Sequence, residues 1–166
     1  MSDQPTTPLN SGGPEAFRAI LRDVFGGDIP HVEALGIAVE SFEGPRILMR
    51  LPYQEALVGD PESGVLHGGA VTTLIDSACG LGVVAALDKP RPVATLDLRI
   101  DYLKPAEAGR DLLCRAECYR VAHQVAFARA NAFHEGEEDK PVAAALGSFM
   151  LSHLPLEGAA GEGTHK

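Results

Sequence analysis

Basic residues are scarce in this sequence of 166 residues, which has 14 lysines and arginines against 23 aspartates and glutamates. The formal net charge is −9, and the isoelectric point lies near 5.0. A nucleic-acid-binding protein needs a basic face, and electrostatic binding to an anionic membrane needs clustered lysine and arginine. We therefore expect neither a nucleic-acid partner nor a membrane partner.

Cysteine is scarce as well, with only Cys79, Cys114 and Cys118. The odd number, together with the absence of an opening basic segment followed by an apolar run, predicts a cytoplasmic protein without a secretory signal. On a strand, Cys114 and Cys118 would lie roughly 13 Å apart, too far to share one zinc ion. We therefore interpret all three as small packing residues.

Two catalytic patterns are missing. The histidines other than His67 show no spacing typical of zinc ligands, so we predict no metal site; they are His31, His123, His134, His153 and His165. The sequence also contains no Gly-x-Ser-x-Gly motif, which argues against a serine hydrolase with a nucleophile elbow.

What the sequence does have is a long segment almost without charge, residues 64–87, in which Asp76 is the only acid or base between His67 and Asp88. Its apolar residues recur at i, i+3, i+4 and i+7, which predicts a central helix over 69–87. Other faces of this helix are also apolar, so we expect it to be buried. The length raises the question of a membrane span, but Asp76 and the glycines favour a soluble protein.

Burying a single acid in an apolar helix costs folding free energy unless the acid is paired, and such a residue is often retained for catalysis. Asp76 is therefore a candidate catalytic residue. The glycines just before the helix leave backbone N–H groups bare at its start, where the helix dipole favours negative charge.

The remaining segments predict an α+β domain over residues 14–152. Residues 14–26 form an amphipathic pattern that begins at Pro14 and predicts a short helix. Alternating residues around the turn 43–45 predict a hairpin, and residues 53–66 read as a loop. Four further strands are predicted, at 93–102, 112–121, 124–134 and 142–152. Residues 1–13 and 153–166 are polar and are predicted to be flexible tails.

Adjacent strands joined by short turns indicate one antiparallel sheet. In the predicted strand 124–134, alternate positions from Ala126 to Ala132 are alanine, so the central helix can approach the sheet closely at this row. The sheet of one chain would still have exposed edges, and a dimer that extends the sheet would cover one of them.

Two motifs together carry a resemblance to a known family. Leu66-His67-Gly68-Gly69 is followed by an acid seven residues after Gly69, and Asp97–Ala106 has the pattern D-x-x-x-x-Y-L-x-P-A. The chain resembles the hotdog-fold thioesterases of the PaaI type over roughly residues 33–152. The resemblance implies a long helix wrapped by a curved antiparallel sheet of about five to six strands. It also implies a homodimer with active sites at the interface, with dimers pairing again.

The activity implied is hydrolysis of acyl-coenzyme A, with no cofactor apart from the coenzyme A of the substrate. By resemblance, the Gly68 N–H stabilises the oxyanion, and Asp76 acts as nucleophile or as general base toward water. Thr95 is expected to orient the water or the carboxylate, and His67 to orient the loop or contact substrate. Gly68 and Asp76 are about 12 Å apart along one helix, so Gly68 of one protomer is expected to work with Asp76 of the other.

The same resemblance implies further substrate-binding residues, which are Gly69, Asp97 and Tyr102. It also implies that a hairpin contacts coenzyme A through Arg120, Val121, Ala122 and His123. Two positions depart from the family pattern. Ala122 stands where relatives often have glycine, and residues 60–63 lack the asparagine that relatives often carry before the HGG motif.

Structural alternatives stand beside these roles. The two glycines can serve a tight entry into the helix, Asp76 can be a structural cap or ion-pair partner, and Thr95 can be an ordinary strand residue. For the whole protein, the alternative is a non-catalytic module that binds or senses acyl-coenzyme A on the same fold. A hotdog dehydratase built on His67 and Asp76 fits the spacing less well.

Overall fold

The computed structural model describes residues 29–152 together with residues 11, 12, 15, 16 and 19. The described strands are β1 (Ser11–Gly12), β2 (Ala38–Glu43), β3 (Arg46–Leu51), β4 (Val58–Asp60), β5 (Val65–Leu66), β6 (Val93–Tyr102), β7 (Leu112–Val121), β8 (Val125–Phe133) and β9 (Ala143–Leu151). A short helix spans Pro30–Ala34, a 3-10 turn spans Glu55–Leu57, and the central helix spans Gly68–Ala86. The central helix therefore begins and ends one residue earlier than predicted.

Seven strands form one antiparallel sheet in the order β1-β2-β3-β7-β8-β9-β6. Because β1 has two residues, the sheet consists of six long strands. The predicted α+β class and the antiparallel sheet of about five to six strands wrapped around a long helix are confirmed.

The segment 53–66, predicted as a loop, is more ordered than expected. Its strands β4 and β5 form a separate antiparallel ribbon. The Asp60 carboxylate accepts hydrogen bonds from the Ser63 hydroxyl and the Glu62 N–H, and Gly64 adopts a φ of 70° that favours glycine. This side-chain-stabilised turn is what makes the ribbon possible.

The central helix packs on one face of the sheet, against β3, β6, β7, β8 and β9. The alanine row of β8 lies beneath it: Ala126, Ala128 and Ala132 are fully buried and Ala130 nearly so, as the small-residue pattern predicted. Among the described residues this is the one helix long and apolar enough to cross a membrane. Here its apolar residues are buried against the sheet.

One stripe of the central helix is not covered by the sheet. It is made of Gly69, Thr72, Thr73, Asp76, Ser77 and Gly80, which are exposed or half-buried. The predicted burial of the helix is therefore confirmed for its other faces and is wrong for this one. These polar and glycine positions recur every three to four residues, so they align on one face.

The two edges of the sheet differ. At the β2 edge, β1 pairs with Phe42 and Glu43, whereas no described strand pairs with the outer edge of β6, which is ten residues long. On β6, Leu96 is 54% exposed and Tyr102 is 52% exposed. A long, exposed edge strand is a template for pairing with another chain.

Three predictions fall largely on residues outside the described part. The predicted helix over 14–26 lies outside it except for residues 15, 16 and 19, which are helical. The predicted tails over 1–13 and 153–166 lie outside it except for Ser11 and Gly12, which form β1.

His134 holds the turn between β6 and β7 from a fully buried position. Its Nε2 accepts a hydrogen bond from the Glu107 N–H, and its Nδ1 lies 2.9 Å from the Asp111 carbonyl oxygen, to which it donates. His134→Ala leaves both backbone groups without partners and opens a cavity. We expect the free energy of unfolding in urea to fall by about 2–4 kcal/mol. Asp139→Ala, at an exposed position, is the matched control, and equal stability of the two variants would contradict this prediction.

Candidate active site

The uncovered stripe of the central helix places Asp76 beside a cavity of about 410 Å³. Asp76 is half-buried, and its Oδ1 accepts a hydrogen bond of 2.8 Å from the Thr95 hydroxyl. Among the described residues, no donor contacts Oδ2. One carboxylate oxygen is therefore held in place, and the other is available to a water molecule or a substrate.

A β-bulge in β6 brings Thr95 to this position. Thr95 pairs with Phe149 and Asp97 pairs with Ser148, so Leu96 is an extra residue on the strand. Bulges bend a strand and change the direction in which a side chain points. Directly paired residues of neighbouring strands share a face of the sheet, and Phe149 is buried beneath the central helix, so Thr95 lies on the helix side. Ser148 points to the opposite face, because neighbouring residues on a strand alternate. Asp97 lies on the outer side, and the structure does not bring it to Asp76.

The first turn of the central helix leaves one N–H group open. His67 is the N-cap residue, and its Nδ1 accepts a hydrogen bond of 2.9 Å from the Gly69 N–H. The Ala70 and Val71 N–H groups donate to the His67 carbonyl oxygen. Among the described residues, the exposed Gly68 N–H has no acceptor. Both this free donor and the positive end of the helix dipole favour an oxyanion here.

The peptide group between Gly68 and Gly69 is held at both ends. The Tyr102 hydroxyl donates to the Gly68 carbonyl oxygen at 2.9 Å and lies 2.8 Å from the Thr72 hydroxyl. His67 binds the N–H of the same peptide group. Tyr102, which was predicted to bind substrate, thus contacts the start of the central helix. His67 acts as the N-cap of that helix.

The predicted coenzyme A hairpin lies far from Gly68 within one chain. Its residues Arg120, Val121, Ala122 and His123 are exposed at the tip between β7 and β8. The next residue, Gln124, accepts a hydrogen bond from Leu151, which pairs with Val93 at the start of β6. Tyr102, beside Gly68, is the last residue of β6. The length of β6 therefore separates these two parts by about 30 Å.

Cysteine chemistry is not available at the site. Burial, with a smaller contribution from the Asp76 charge, raises the pKa of the Cys79 thiol to about 12. Burial also raises the pKa values of Cys114 and Cys118. All three are thiols at neutral pH and not the nucleophilic thiolates. Among the described residues, no group of three or more histidine, cysteine or acidic side chains could hold a metal ion.

The ribbon of β4 and β5 contains residues 60–63, which lack the asparagine expected before the HGG motif. The Asp60 carboxylate is occupied by Ser63 and by the Glu62 N–H, and hydrogen bonding lowers the pKa of Asp60. Asp60 therefore stabilises its own turn.

A second cavity of about 380 Å³ lies on the outer face of the sheet. Each of its four arginines is ion-paired: Arg46 and Arg129 with Glu117, Arg99 with Asp101, and Arg115 with Glu138. The acids that line this cavity are thus paired with arginines, whereas no described cation pairs with Asp76. The cavity beside Asp76 and the Thr95 hydroxyl is therefore the candidate active site.

Sequence reasoning missed Thr72 and Gly80 as parts of the site. The signal that could have revealed them is the spacing of the non-apolar residues of the helix. One face of the helix carries positions 69, 72, 73, 76, 77 and 80 at helical periodicity. The helix was predicted from its apolar positions alone, so this polar stripe was not recognised.

Residues 63–140 match the family profile described as the thioesterase superfamily. Medium/long-chain acyl-CoA thioesterase YigI of Escherichia coli is 28% identical over 145 residues, which cover 80% of this chain and 92% of YigI. A crystal structure of a Pseudomonas aeruginosa protein is 41% identical with a TM-score of 0.72, covering 87% of this chain and 100% of that one. A variant of the phenylacetic acid degradation protein PaaI from Thermus thermophilus is 27% identical with a TM-score of 0.65, covering 75% and 100%.

Proposed function

Since this chain belongs to the thioesterase superfamily, we propose that it hydrolyses acyl-coenzyme A to a free acid and coenzyme A. The observation that carries the proposal is the Thr95–Asp76 hydrogen bond beside an open cavity. The name of the relative YigI supports the substrate class. The proposal includes a cytoplasmic location, which the unpaired buried cysteines support.

The chemistry begins at the thioester carbonyl. The Gly68 N–H donates to the carbonyl oxygen as negative charge develops there. The Asp76 Oδ2 either attacks the carbonyl carbon to give an anhydride, which water then hydrolyses, or removes a proton from an attacking water. In both routes the bond from carbon to sulfur breaks, and coenzyme A leaves as a thiolate that takes up a proton.

The proposed site is shared by two protomers. Along one helix, Gly68 and Asp76 are about 12 Å apart, too far to act on one carbonyl. The coenzyme A hairpin is farther still from Gly68 of its own chain. A partner that pairs along the exposed edge of β6 in the opposite direction would place its Gly68 near this chain's Asp76. We propose a homodimer on this basis, with pairing of dimers as a further expectation.

Mixed dimers test the shared site. Asp76→Asn removes the carboxylate, and Gly68→Pro removes the N–H. Co-refolding equal amounts of the two inactive chains should restore about a quarter of wild-type activity, because half of the dimers are mixed and each has one intact site. If every site were built within one chain, the mixture would stay as inactive as its parts.

The alternative of a non-catalytic binding module is favoured by one observation: residues 60–63 lack the asparagine that relatives often carry before the HGG motif. It predicts that the wild-type protein binds acyl-coenzyme A without releasing free thiol. A thiol-release assay with acetyl, hexanoyl, decanoyl and phenylacetyl thioesters separates the two functions.

Thr95 provides a graded test of the carboxylate's orientation. Thr95→Val keeps the branched shape but removes the hydroxyl, and we expect kcat to fall about 10-fold to 100-fold because Asp76 loses its only described donor. Thr95→Ser keeps the hydroxyl and should retain most of the activity. Equal kcat values for the valine and serine variants would show that this hydrogen bond has no role in turnover.

A further inference from the structure

The cavity beside Asp76 has different chemistry at its two ends. Thr72 and Thr73 line the end toward the helix start. Beyond Asp76, beside Gly80, the walls are apolar and are formed by Leu81 and Val93. The other apolar lining residues are Ile29, Val32 and Leu98, of which Leu98 lies between Thr95 and Tyr102 on β6. The apolar end is suited to hydrocarbon, because burying it releases water from both surfaces.

Gly80 lies at the apolar end, four residues after Asp76. Residues four apart on a helix are neighbours on one face, separated by about 6 Å along the axis. An acyl chain that extends from a carbonyl at Asp76 into the apolar end therefore passes over Gly80.

Neither the backbone nor the packing explains a glycine at position 80. The residue lies inside the helix, and its φ is not positive. A Cβ there would lie 3.6 Å from the Phe149 ring and 3.9 Å from Val93, which are ordinary contact distances. Glycine within a helix lowers stability relative to alanine. Gly80 therefore makes the helix less stable than alanine would, and it leaves space that no described side chain fills.

The charges around the cavity restrict the acyl group further. Among the described residues that line it there is no lysine or arginine, and the titratable ones are Asp76 and the exposed His31. A second carboxylate on the acyl group would approach Asp76 without a cationic partner, which is costly.

We propose that Gly80 determines the size of the acyl group, and that the apolar end of the cavity takes an uncharged hydrocarbon chain longer than acetyl. The inference rests on the proposed thioesterase function, because it assumes that the thioester carbonyl lies at Asp76. Gly80 contacts the chain of the substrate and takes no part in bond making.

The test compares wild type with Gly80→Ala and Gly80→Leu on acetyl-, hexanoyl- and decanoyl-coenzyme A. Wild type should prefer the longer thioesters. Gly80→Leu should lower kcat/KM for decanoyl-coenzyme A at least about 10-fold relative to acetyl-coenzyme A, because the added side chain fills the path of the chain. Gly80→Ala should show a smaller shift in the same direction, with a higher midpoint of urea denaturation than wild type.

Gly82→Ala is the matched control, since a methyl group there would contact Ile47 and Pro45 on the sheet side and not the cavity. Its ratio of kcat/KM between decanoyl and acetyl thioesters should stay within about twofold of wild type. An unchanged ratio in Gly80→Leu would overturn the role of Gly80 while leaving the hydrolase function intact.

Binding distinguishes failure of this inference from failure of the proposed function. Calorimetry with decyl and ethyl thioether analogues of coenzyme A requires no turnover. If wild type cleaves no thioester, the hydrolase proposal fails, yet Gly80→Leu should still weaken binding of the decyl analogue relative to the ethyl analogue. Equal weakening of both analogues, or of neither, contradicts the size-determining role.

Discussion

Asp76→Asn should lower kcat for acyl-coenzyme A hydrolysis by about 1000-fold, with a much smaller change in KM. The amide keeps the shape of the side chain and can still accept the hydrogen bond from Thr95 at its oxygen. It cannot attack the carbonyl or take a proton from water. Both proposed routes therefore lose the step that Oδ2 performs.

The measurement is release of coenzyme A thiol at saturating substrate. Ser77→Ala, the next residue on the same helix, is the matched control and should keep kcat within about threefold, because Ser77 lines the cavity without a role in either route. Wild-type kcat in Asp76→Asn would remove Asp76 from the mechanism and reduce it to a structural partner of Thr95.

Gly68→Pro should lower kcat by about 100-fold to 1000-fold, the effect typical of removing one oxyanion donor. Proline has no N–H, and it is favoured at the first position of a helix, where that N–H makes no helical bond. His67 already has φ −62° and ψ 135°, the extended conformation that the residue before proline requires. The substitution therefore removes the donor with little change to the helix.

Gly68→Ala separates the loss of the donor from the loss of glycine. A Cβ at position 68 would lie 3.5 Å from the Tyr102 hydroxyl oxygen, an ordinary contact, and the N–H is retained. Alanine should therefore keep most of the activity while proline does not. If both variants lose kcat equally, the site needs the bare Cα of Gly68, and the N–H is not the oxyanion donor.

Much of the fold followed from patterns within short stretches of chain. The apolar period of residues 71–85 predicted the central helix to within one residue at each end. Alternation in the second half predicted β6 to β9 closely, because a strand with one buried face has period two. The ribbon of β4 and β5 was missed because it depends on Asp60 binding its own turn.

The candidate site followed from sequence only in part. Asp76 was found because it is a single acid in an apolar segment, and Gly68 because a resemblance to the family pointed to it. The role of His67 as N-cap could not be predicted from the sequence, because its ring could equally bind a loop, a substrate or the Gly69 N–H. In the structure, the His67 ring accepts the hydrogen bond from the Gly69 N–H.

The sequence alone determined the α+β class, the central helix and the acid it carries, because these depend on the period of neighbouring residues. Tertiary structure decided which stripe of that helix stays uncovered, and so which residues share a cavity with Asp76. It also decided that a bulge turns Thr95, 19 residues away, onto the carboxylate, and that the hairpin and Gly68 lie at opposite ends of β6. Such contacts join residues distant in the chain, and no local period encodes them.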